Sequence, residues 1–253
     1  MANLKRAYLP LALQPYKTDE LVRLGAKADG GYVLDKKAIQ SAKFLLSCGV
    51  NEDWTFEENF CALNDVPVVA LDGSVGEEYF KTQVRSTFKK PWRFFWHWGV
   101  WRSYKRFYSG SKRHLQIYVG TDVLGGKKLS DIIRDEVPEQ DRPYYLKMDI
   151  EGSEYGVLAD VLATASELTG LIIEFHEVQK HLQKIVEFVD RLPLRLCHVH
   201  INNNGGVAEG DVPQVIECTF SRYCADQRST EALPLSLDQT NWHKLPDFEL
   251  VFS

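Results

Sequence analysis

The sequence predicts an α/β fold, a doubly wound and mostly parallel sheet with helices on both faces. Short, near-continuous apolar runs alternate with segments of helical period along the chain, as in Phe44-Leu45-Leu46-Ser47-Cys48 and Tyr144-Tyr145-Leu146-Lys147-Met148. Strands apolar on both sides belong in parallel sheets covered on both faces. The runs also end abruptly at glycine or aspartate, as they do at the ligand edge of an open sheet.

The elements follow in order. Residues 1–42 are a lead-in, irregular as far as the turn Asp29-Gly30-Gly31 and a short strand, Tyr32-Val33-Leu34. The first regular strand covers 44–48, stopped by Gly49, and a helix over 51–64 has Asn51 or Asp53 at its cap. A second strand, 66–71, ends at Asp72-Gly73, and 76–90 is helical. A third strand is expected at 115–119, a helix at 127–137, a fourth strand at 144–148 and a helix at 153–165. A fifth strand at 171–175 precedes a helix at 179–191 with Ile185, Phe188 and Val189 on one face. Strands at 195–201 and 215–220 are joined by an Asn- and Gly-rich loop without a helix, which allows an antiparallel finish. The whole of 1–253 reads as one domain.

One stretch breaks the alternation. Residues 79–121 hold ten Lys or Arg, no Asp or Glu, and four of the six tryptophans. Basic residues interleaved with aromatics suit an anionic, ring-bearing partner or a membrane surface. The segment 85–113 is therefore assigned to the acceptor side, with Trp98, Arg102, Lys105 and Arg106 as substrate-binding candidates and peripheral membrane contact as a further expectation. The alternative is an insertion that packs its aromatics on the core. Nucleic acid is not expected, since no recognition motif accompanies the charge.

The bulk numbers describe an ordinary soluble chain: 253 residues, 44% hydrophobic, 26% charged, net charge −5. Five cysteines without a close CxxC pair read as free thiols of a reducing compartment. The amino-terminal apolar stretch is broken by Pro10 and Pro15 and is too short for a signal-peptide core, so a cytoplasmic location is expected.

An open parallel sheet gathers the residues at its strand carboxyl ends around one crevice. Here these are Gly49, Asn51, Asp53, Asp72, Asp149, Glu151, Glu174 and His176. An acid after the second strand is what a ribose asks for. Neither GxGxxG nor a P-loop is present, so a nucleoside cofactor without a pyrophosphate fits better, and S-adenosylmethionine is the obvious one. A nicotinamide-dependent oxidoreductase and a non-catalytic glycan- or membrane-binding module are the alternatives.

Several stretches in order resemble the FkbM-type S-adenosylmethionine-dependent methyltransferases, in the branch associated with polysaccharide biosynthesis. They are Arg23-Leu24-Gly25, Asp29-Gly30-Gly31-Tyr32-Val33, Ser47-Cys48-Gly49-Val50-Asn51-Glu52-Asp53, Leu146-Lys147-Met148-Asp149-Ile150-Glu151-Gly152-Ser153-Glu154, Ile173-Glu174-Phe175-His176, and His198 through Gly206. The resemblance implies a class I, Rossmann-like methyltransferase sheet of seven strands in three layers. It places Gly49 under the adenosyl group, Asp72 on the ribose and Asp149 near the methionine end, with Asp29, Gly30, Asn51 and Asp53 completing the cofactor set. The first motif lacks the acid that many relatives of the wider fold carry on that strand; Asp29 or Asp53 are the candidates to replace it. The implied activity is O-methyl transfer to a sugar hydroxyl of a glycan, nucleotide sugar or lipid-linked precursor, the acceptor in some cases bearing a phosphate. The cofactor carries the methyl group, so the protein supplies placement and a base. Base candidates are Glu151, His176 and His200. Asp149, Glu174 and His176 also stand where catechol-type O-methyltransferases hold their ion, so Mg2+ or Mn2+ is a further candidate.

Overall fold

A computed structural model of the chain describes residues 4–121 and 124–253. The strands in chain order are β1 (Lys5–Leu9), β2 (Leu21–Gly25), β3 (Gly31–Asp35), β4 (Leu45–Cys48), β5 (Val68–Leu71), β6 (Lys112–Leu115), β7 (Tyr144–Met148), β8 (Leu168–Phe175), β9 (Arg195–Ile201), β10 (Ile216–Ser221) and β11 (Phe248–Phe252). The helices are α1 (Lys36–Ser41), α2 (Thr55–Leu63), α3 (Glu77–Ser86), α4 (Pro91–Phe107), α5 (Leu129–Glu136), α6 (Glu154–Thr164) and α7 (Val178–Arg191).

Seven strands form the central sheet in the order β6-β5-β4-β7-β8-β10-β9, and β10 alone runs against its neighbours. The winding reverses between β4 and β7, which makes their carboxyl ends the switch point of the sheet. The expected mostly parallel, doubly wound, three-layer sheet is therefore the observed one. One face packs on α5, α6 and α7 through Leu46, Met148, Ile173 and Phe175 against Ile132, Val161, Ile185 and Phe188. The other face packs on α1, α2 and the β2–β3 hairpin through Leu45, Tyr145 and Ile172 against Ile39, Phe56 and Phe60. A third cluster, Val50, Trp54, Phe80, Tyr104 and Tyr108, fastens α3 and the carboxyl half of α4 beside β5.

Three expectations need correcting. The lead-in is not irregular: β1 pairs in parallel with the closing strand β11, and β2 and β3 form an antiparallel hairpin. Their register is fixed by partners more than 200 residues away or across a turn, which local periodicity does not register. The third strand lies at Lys112–Leu115, not 115–119. It is a charged edge strand with one neighbour, and the apolar Ile117, Tyr118 and Val119 beyond it line a cavity. The helix expected over 76–90 ends at Ser86, and Pro91, at the first turn of a new helix, starts the 17-residue α4.

Among the described residues no helix is long and apolar enough to cross a membrane. The five cysteines are free, with Cys48, Cys197 and Cys218 buried and Cys61 and Cys224 half-buried.

Candidate active site

The site is assembled where β4, β5 and β7 end. Gly49 has φ +80°, and a Cβ there would lie 1.6 Å from the Asp149 carbonyl oxygen. Only glycine lets the chain leave β4 this close to the end of β7. Across this contact the buried Lys147 donates from Nζ to the Gly49 carbonyl at 2.6 Å. Lys147 shares the α2-facing side of the sheet with Ser47, whose hydroxyl donates to the buried Glu57 at 2.5 Å. Burial raises the Glu57 carboxyl, with Lys147 and Ser47 acting against it.

Asp72 ends β5 as a hub. Its Oδ2 accepts from the backbone N–H of Asn51 at 2.7 Å and of Val50 at 3.2 Å. Its Oδ1 accepts from the Ser74 N–H and hydroxyl at 2.8 and 2.6 Å and from the Val75 N–H at 3.0 Å. Partial burial works against its charge, but these donors prevail and hold the carboxyl below its usual range. The N-cap of α2 is Trp54, not the expected Asn51 or Asp53; Asp53, one residue before it, accepts from the Thr55 N–H at 2.8 Å and closes the turn into the helix.

Asp149 follows β7 and accepts from the Tyr32 hydroxyl at 2.9 Å, which also reaches Glu174 at 3.3 Å. Burial raises the Asp149 carboxyl, opposed by Lys147 and the Tyr32 bond. Glu151 then turns into the left-handed region at φ +54°, a position that costs a non-glycine residue free energy. Glu154 secures the turn: its Oε1 accepts from the N–H of Ile150 at 3.2 Å and of Gly152 at 3.0 Å. The same oxygen meets His176 Nδ1 at 3.1 Å, which leaves Nε2 facing Glu151 at 3.6 Å and Glu174 at 3.8 Å. Burial opposes a charge on His176, but Glu154, Asp149 and Glu151 outweigh it and raise its pKa. The Glu151 side chain stays largely open, 87% exposed.

Glu174, Glu217 and His200 are cross-strand neighbours on β8, β10 and β9. The Asn202 amide donates to Glu174 at 2.9 Å and to Asp29 at 3.4 Å; the Asn241 amide donates to Glu217 at 2.6 Å and Asp29 at 3.1 Å. Burial, and then the neighbouring Asp149 and Glu217, push the Glu174 carboxyl well up. His200 sits between Glu217 and Asp247, each at 3.1 Å. Burial alone would lower its pKa; the two carboxylates raise it to about 10. Both ring nitrogens of His200 are thus committed away from the crevice.

A cavity of about 600 Å3 runs past Asp29, Gly30, Gly49, Asn51, Asp53, Asp72, Lys147, Asp149 and Glu151. A second, of about 290 Å3, shares Gly49, Asp72, Asp149 and Glu151 and adds Ile117, Tyr118, Val119 and Ile150. Tyr118 can lie there because Gly73 has no side chain: a Cβ at 73 would come 2.2 Å from its ring. A third, of about 200 Å3, joins Asp29, Asp149, Glu151, Glu174, His176 and Asn202. The first size lies within the range of small-molecule sites and the second at its lower edge.

The sequence-assigned cofactor residues Asp29, Gly30, Gly49, Asn51, Asp53, Asp72 and Asp149 thus line one crevice, joined by Glu151. The acceptor-side candidates do not line it. Trp98 lies under the Arg102 guanidinium at 5.3 Å and Lys105 pairs with Glu77 at 3.3 Å, while the residues of α4 facing the cavity are Trp96 and Val100. Sequence reasoning gave no role to Lys147, Tyr32, Glu154, Asn202 and Tyr118. Lys147 and Glu154 sit inside the quoted signature, Tyr32 inside the quoted stretch from Asp29 to Val33, and Asn202 shares a strand face with His198 and His200, so those four carried a signal; Tyr118 reaches the site from the segment beyond β6.

Residues 91–198 match the Methyltransferase FkbM domain family. None of the curated proteins compared with the chain is similar to it. Among solved structures, the 16S rRNA (adenine(1408)-N(1))-methyltransferase from Catenulisporales acidiphilia is 13% identical, with 81% of this chain and 100% of that chain covered and a TM-score of 0.34. A mutant of that enzyme with cosubstrate SAM is 13% identical over 83% of this chain and 100% of that chain, with a TM-score of 0.33. A likeness this distant decides nothing about substrate or site. The family match covers both the most specific motif, Lys147 to Glu154, and the strands that carry Asp149 and Glu174. The chain carries a methyltransferase FkbM domain over residues 91–198 and is an S-adenosylmethionine-dependent methyltransferase.

Proposed function

We propose that the chain methylates a hydroxyl oxygen, and that the acceptor is a sugar. When bound, S-adenosylmethionine supplies the methyl group on a positively charged sulfonium. The residues present fit it: an aromatic and aliphatic wall of Ile117, Tyr118 and Val119 and a run of carboxylates toward Asp149, with Asp72, assigned to the ribose from the sequence, holding the Asn51 and Ser74 turns that shape the wall beside it. The observation that carries the proposal is the small cavity beyond Asp149. There Glu151, Glu174, His176, Asn202 and Asp29 converge, a carboxylate and amide set that can hydrogen-bond neighbouring hydroxyl groups. Trp96 on the near wall offers a flat face for a sugar ring.

Glu151 is the base in this reading. Its carboxylate is open to the cavity, whereas His176 Nδ1 is committed to Glu154 and both nitrogens of His200 are committed to acids. Glu154 fixes the Glu151 turn and the His176 ring together, so the base is held on a rigid corner.

A divalent cation, Mg2+ or Mn2+, is a second reading with its own observation. One donor atom each from Asp149, Glu151 and His176 lies within 4.8 Å of the others, and the buried Glu154 orients the imidazole as an outer carboxylate does at metal sites. Oxygen and imidazole donors suit these ions, which would lower the pKa of the acceptor hydroxyl. Glu174, assigned with Asp149 and His176 from the sequence, is already taken up by Asn202 and Tyr32.

The test is a labelled-methyl transfer assay over a panel of glycans and nucleotide sugars, run with and without chelator. Transfer to a sugar hydroxyl, lost by about 10²- to 10⁴-fold in Glu151→Gln with binding of S-adenosylhomocysteine kept, is the expected result. Transfer only to nitrogen acceptors rules the proposal out, and full activity under chelator removes the cation.

A further inference from the structure

The amino half of α4 is out of keeping with a soluble surface. Trp92 is 86% exposed, Phe88 74%, Phe95 68% and Trp96 59%. Large aromatics in such a contiguous patch mark an interaction surface. Trp92, Phe95 and Trp96 follow the spacing that sets side chains on one stripe of a helix, and Phe88 precedes them in the turn before it. Lys89, Lys90 and Arg93 flank the stripe and are exposed. Charge on this segment is of one sign, since 79–121 contain no acid although the chain as a whole is at −5. The carboxyl half of the same helix is anchored by Tyr104 and Tyr108 in the third core cluster.

We propose that this stripe docks the enzyme on an anionic phospholipid surface. Indole and phenyl rings at one edge of a helix, with ammonium and guanidinium groups beside them, are the chemistry of an interfacial helix lying in the headgroup layer. Charge decides for lipid over a second copy of this chain, because two such stripes facing each other would oppose like charges. The same helix turns Trp96 and Val100 toward the crevice, so docking sets the cavity mouth beside the membrane surface. This deepens the proposed sugar acceptor by making it lipid-linked and rests on that proposal only for this last step; docking itself stands without it.

The experiment is co-sedimentation and tryptophan fluorescence of the full chain with vesicles of phosphatidylcholine alone and of phosphatidylcholine mixed equally with phosphatidylglycerol. Binding and a blue shift are expected with the mixed vesicles only. Lys89→Gln, Lys90→Gln and Arg93→Gln together should weaken it on the order of 100-fold, at roughly fivefold per charge. Trp92→Ser with Phe95→Ser should abolish the blue shift. S-adenosylhomocysteine affinity should stay unchanged in both variants, which separates docking from folding and from the proposed reaction. Three outcomes overturn the proposal: no binding to anionic vesicles, equal binding by both variants, or a dimer in sedimentation velocity that the Trp92 and Phe95 substitutions dissociate.

Discussion

Replacing Gly49 by alanine tests the cofactor edge at its narrowest point. Alanine at φ +80° costs about 1–2 kcal/mol by itself. The new methyl group would sit 1.6 Å from the Asp149 carbonyl oxygen. Ordinary contact is ~3.5 Å, so the ends of β4 and β7 must part by about 2 Å. Two bonds bridge that junction: the Asp149 N–H to the Cys48 carbonyl at 3.0 Å, and Lys147 Nζ to the Gly49 carbonyl at 2.6 Å. Weakening both adds about 1 kcal/mol each, for a total of ~3–4 kcal/mol. A shift of even ~1 Å at Asp149 should cost on the order of 100-fold in methyl transfer. Urea unfolding measures the first quantity; calorimetry with S-adenosylhomocysteine and initial rates measure the second. Gly99→Ala is the control, because a Cβ there meets nothing within 4 Å and a helix interior favours alanine by about 1 kcal/mol. If Gly49→Ala binds S-adenosylhomocysteine like the parent and unfolds at the same urea concentration, the close approach of the two strands has no bearing on the site.

Three further outcomes follow from the same network. The folded pKa of His200, about 10 against an ordinary 6.5, means its stabilising contribution is complete below about pH 6.5 and is lost as pH rises toward 10. Wild-type stability should therefore fall between about pH 7 and about pH 9.5 by a few kcal/mol more than that of His200→Gln; parallel curves would remove the charge from His200. Tyr32→Phe deletes the hydroxyl shared by Asp149 and Glu174 and should cost about 1–2 kcal/mol in urea, with weaker S-adenosylhomocysteine binding by calorimetry; unaltered binding would detach Tyr32 from the cofactor edge. Trp96→Ala should raise KM for the acceptor about tenfold through lost stacking while kcat changes little, and an unchanged KM would place the acceptor elsewhere.

What the sequence disclosed was what local pattern controls. Apolar runs such as 144–148 and 171–175 needed no partner to be recognised as buried strands, and the acids that stop them fall at the sheet's carboxyl edge because every parallel strand ends on the same side. Pairing between distant segments stayed hidden. The exposed Lys5 and Arg6 disguise β1 as loop, and only β11, at the far end of the chain, makes it a strand. His200 was a candidate base by its place at a strand end; its commitment to Glu217 and Asp247 depends on residues 17 and 47 positions away. α4 was hidden for another reason: its exposed amino half has no apolar face turned to the core, so helical period is masked by aromatics on several sides.

The buried polar face explains why the hairpin and the site belong together. On the side of the sheet away from α6 and α7, the last strands carry Glu174, His198, His200, Asn202, Glu217, Thr219 and Ser221, all buried. Left under an apolar cover, such groups would cost several kcal/mol each. The β2–β3 hairpin and the closing loops supply partners instead: Thr219 donates to the Val33 carbonyl at 2.7 Å, His198 meets Asp238 at 2.9 Å, and Tyr32 spans Asp149 and Glu174. Toward the crevice the acids Asp29, Asp149, Glu151 and Glu174 crowd together. The cations beside them are Lys147 and His176, which both favour a charged Asp149, while His200 is enclosed between its own acids, so the acids outnumber them. Burial, and at Glu174 also the neighbouring Asp149 and Glu217, raises both carboxyls, and the positive charge of Lys147 and His176 does not offset it at Asp149. A ligand that brings a further positive charge, as a sulfonium does, relieves that strain on binding and loses its charge on methyl transfer. The same acids that favour the charged cofactor thus hold its neutral product less tightly, so the crevice should bind S-adenosylmethionine more tightly than S-adenosylhomocysteine. Calorimetry on the two ligands checks this directly, and equal affinities would show that the unneutralised acids face the acceptor rather than the sulfonium.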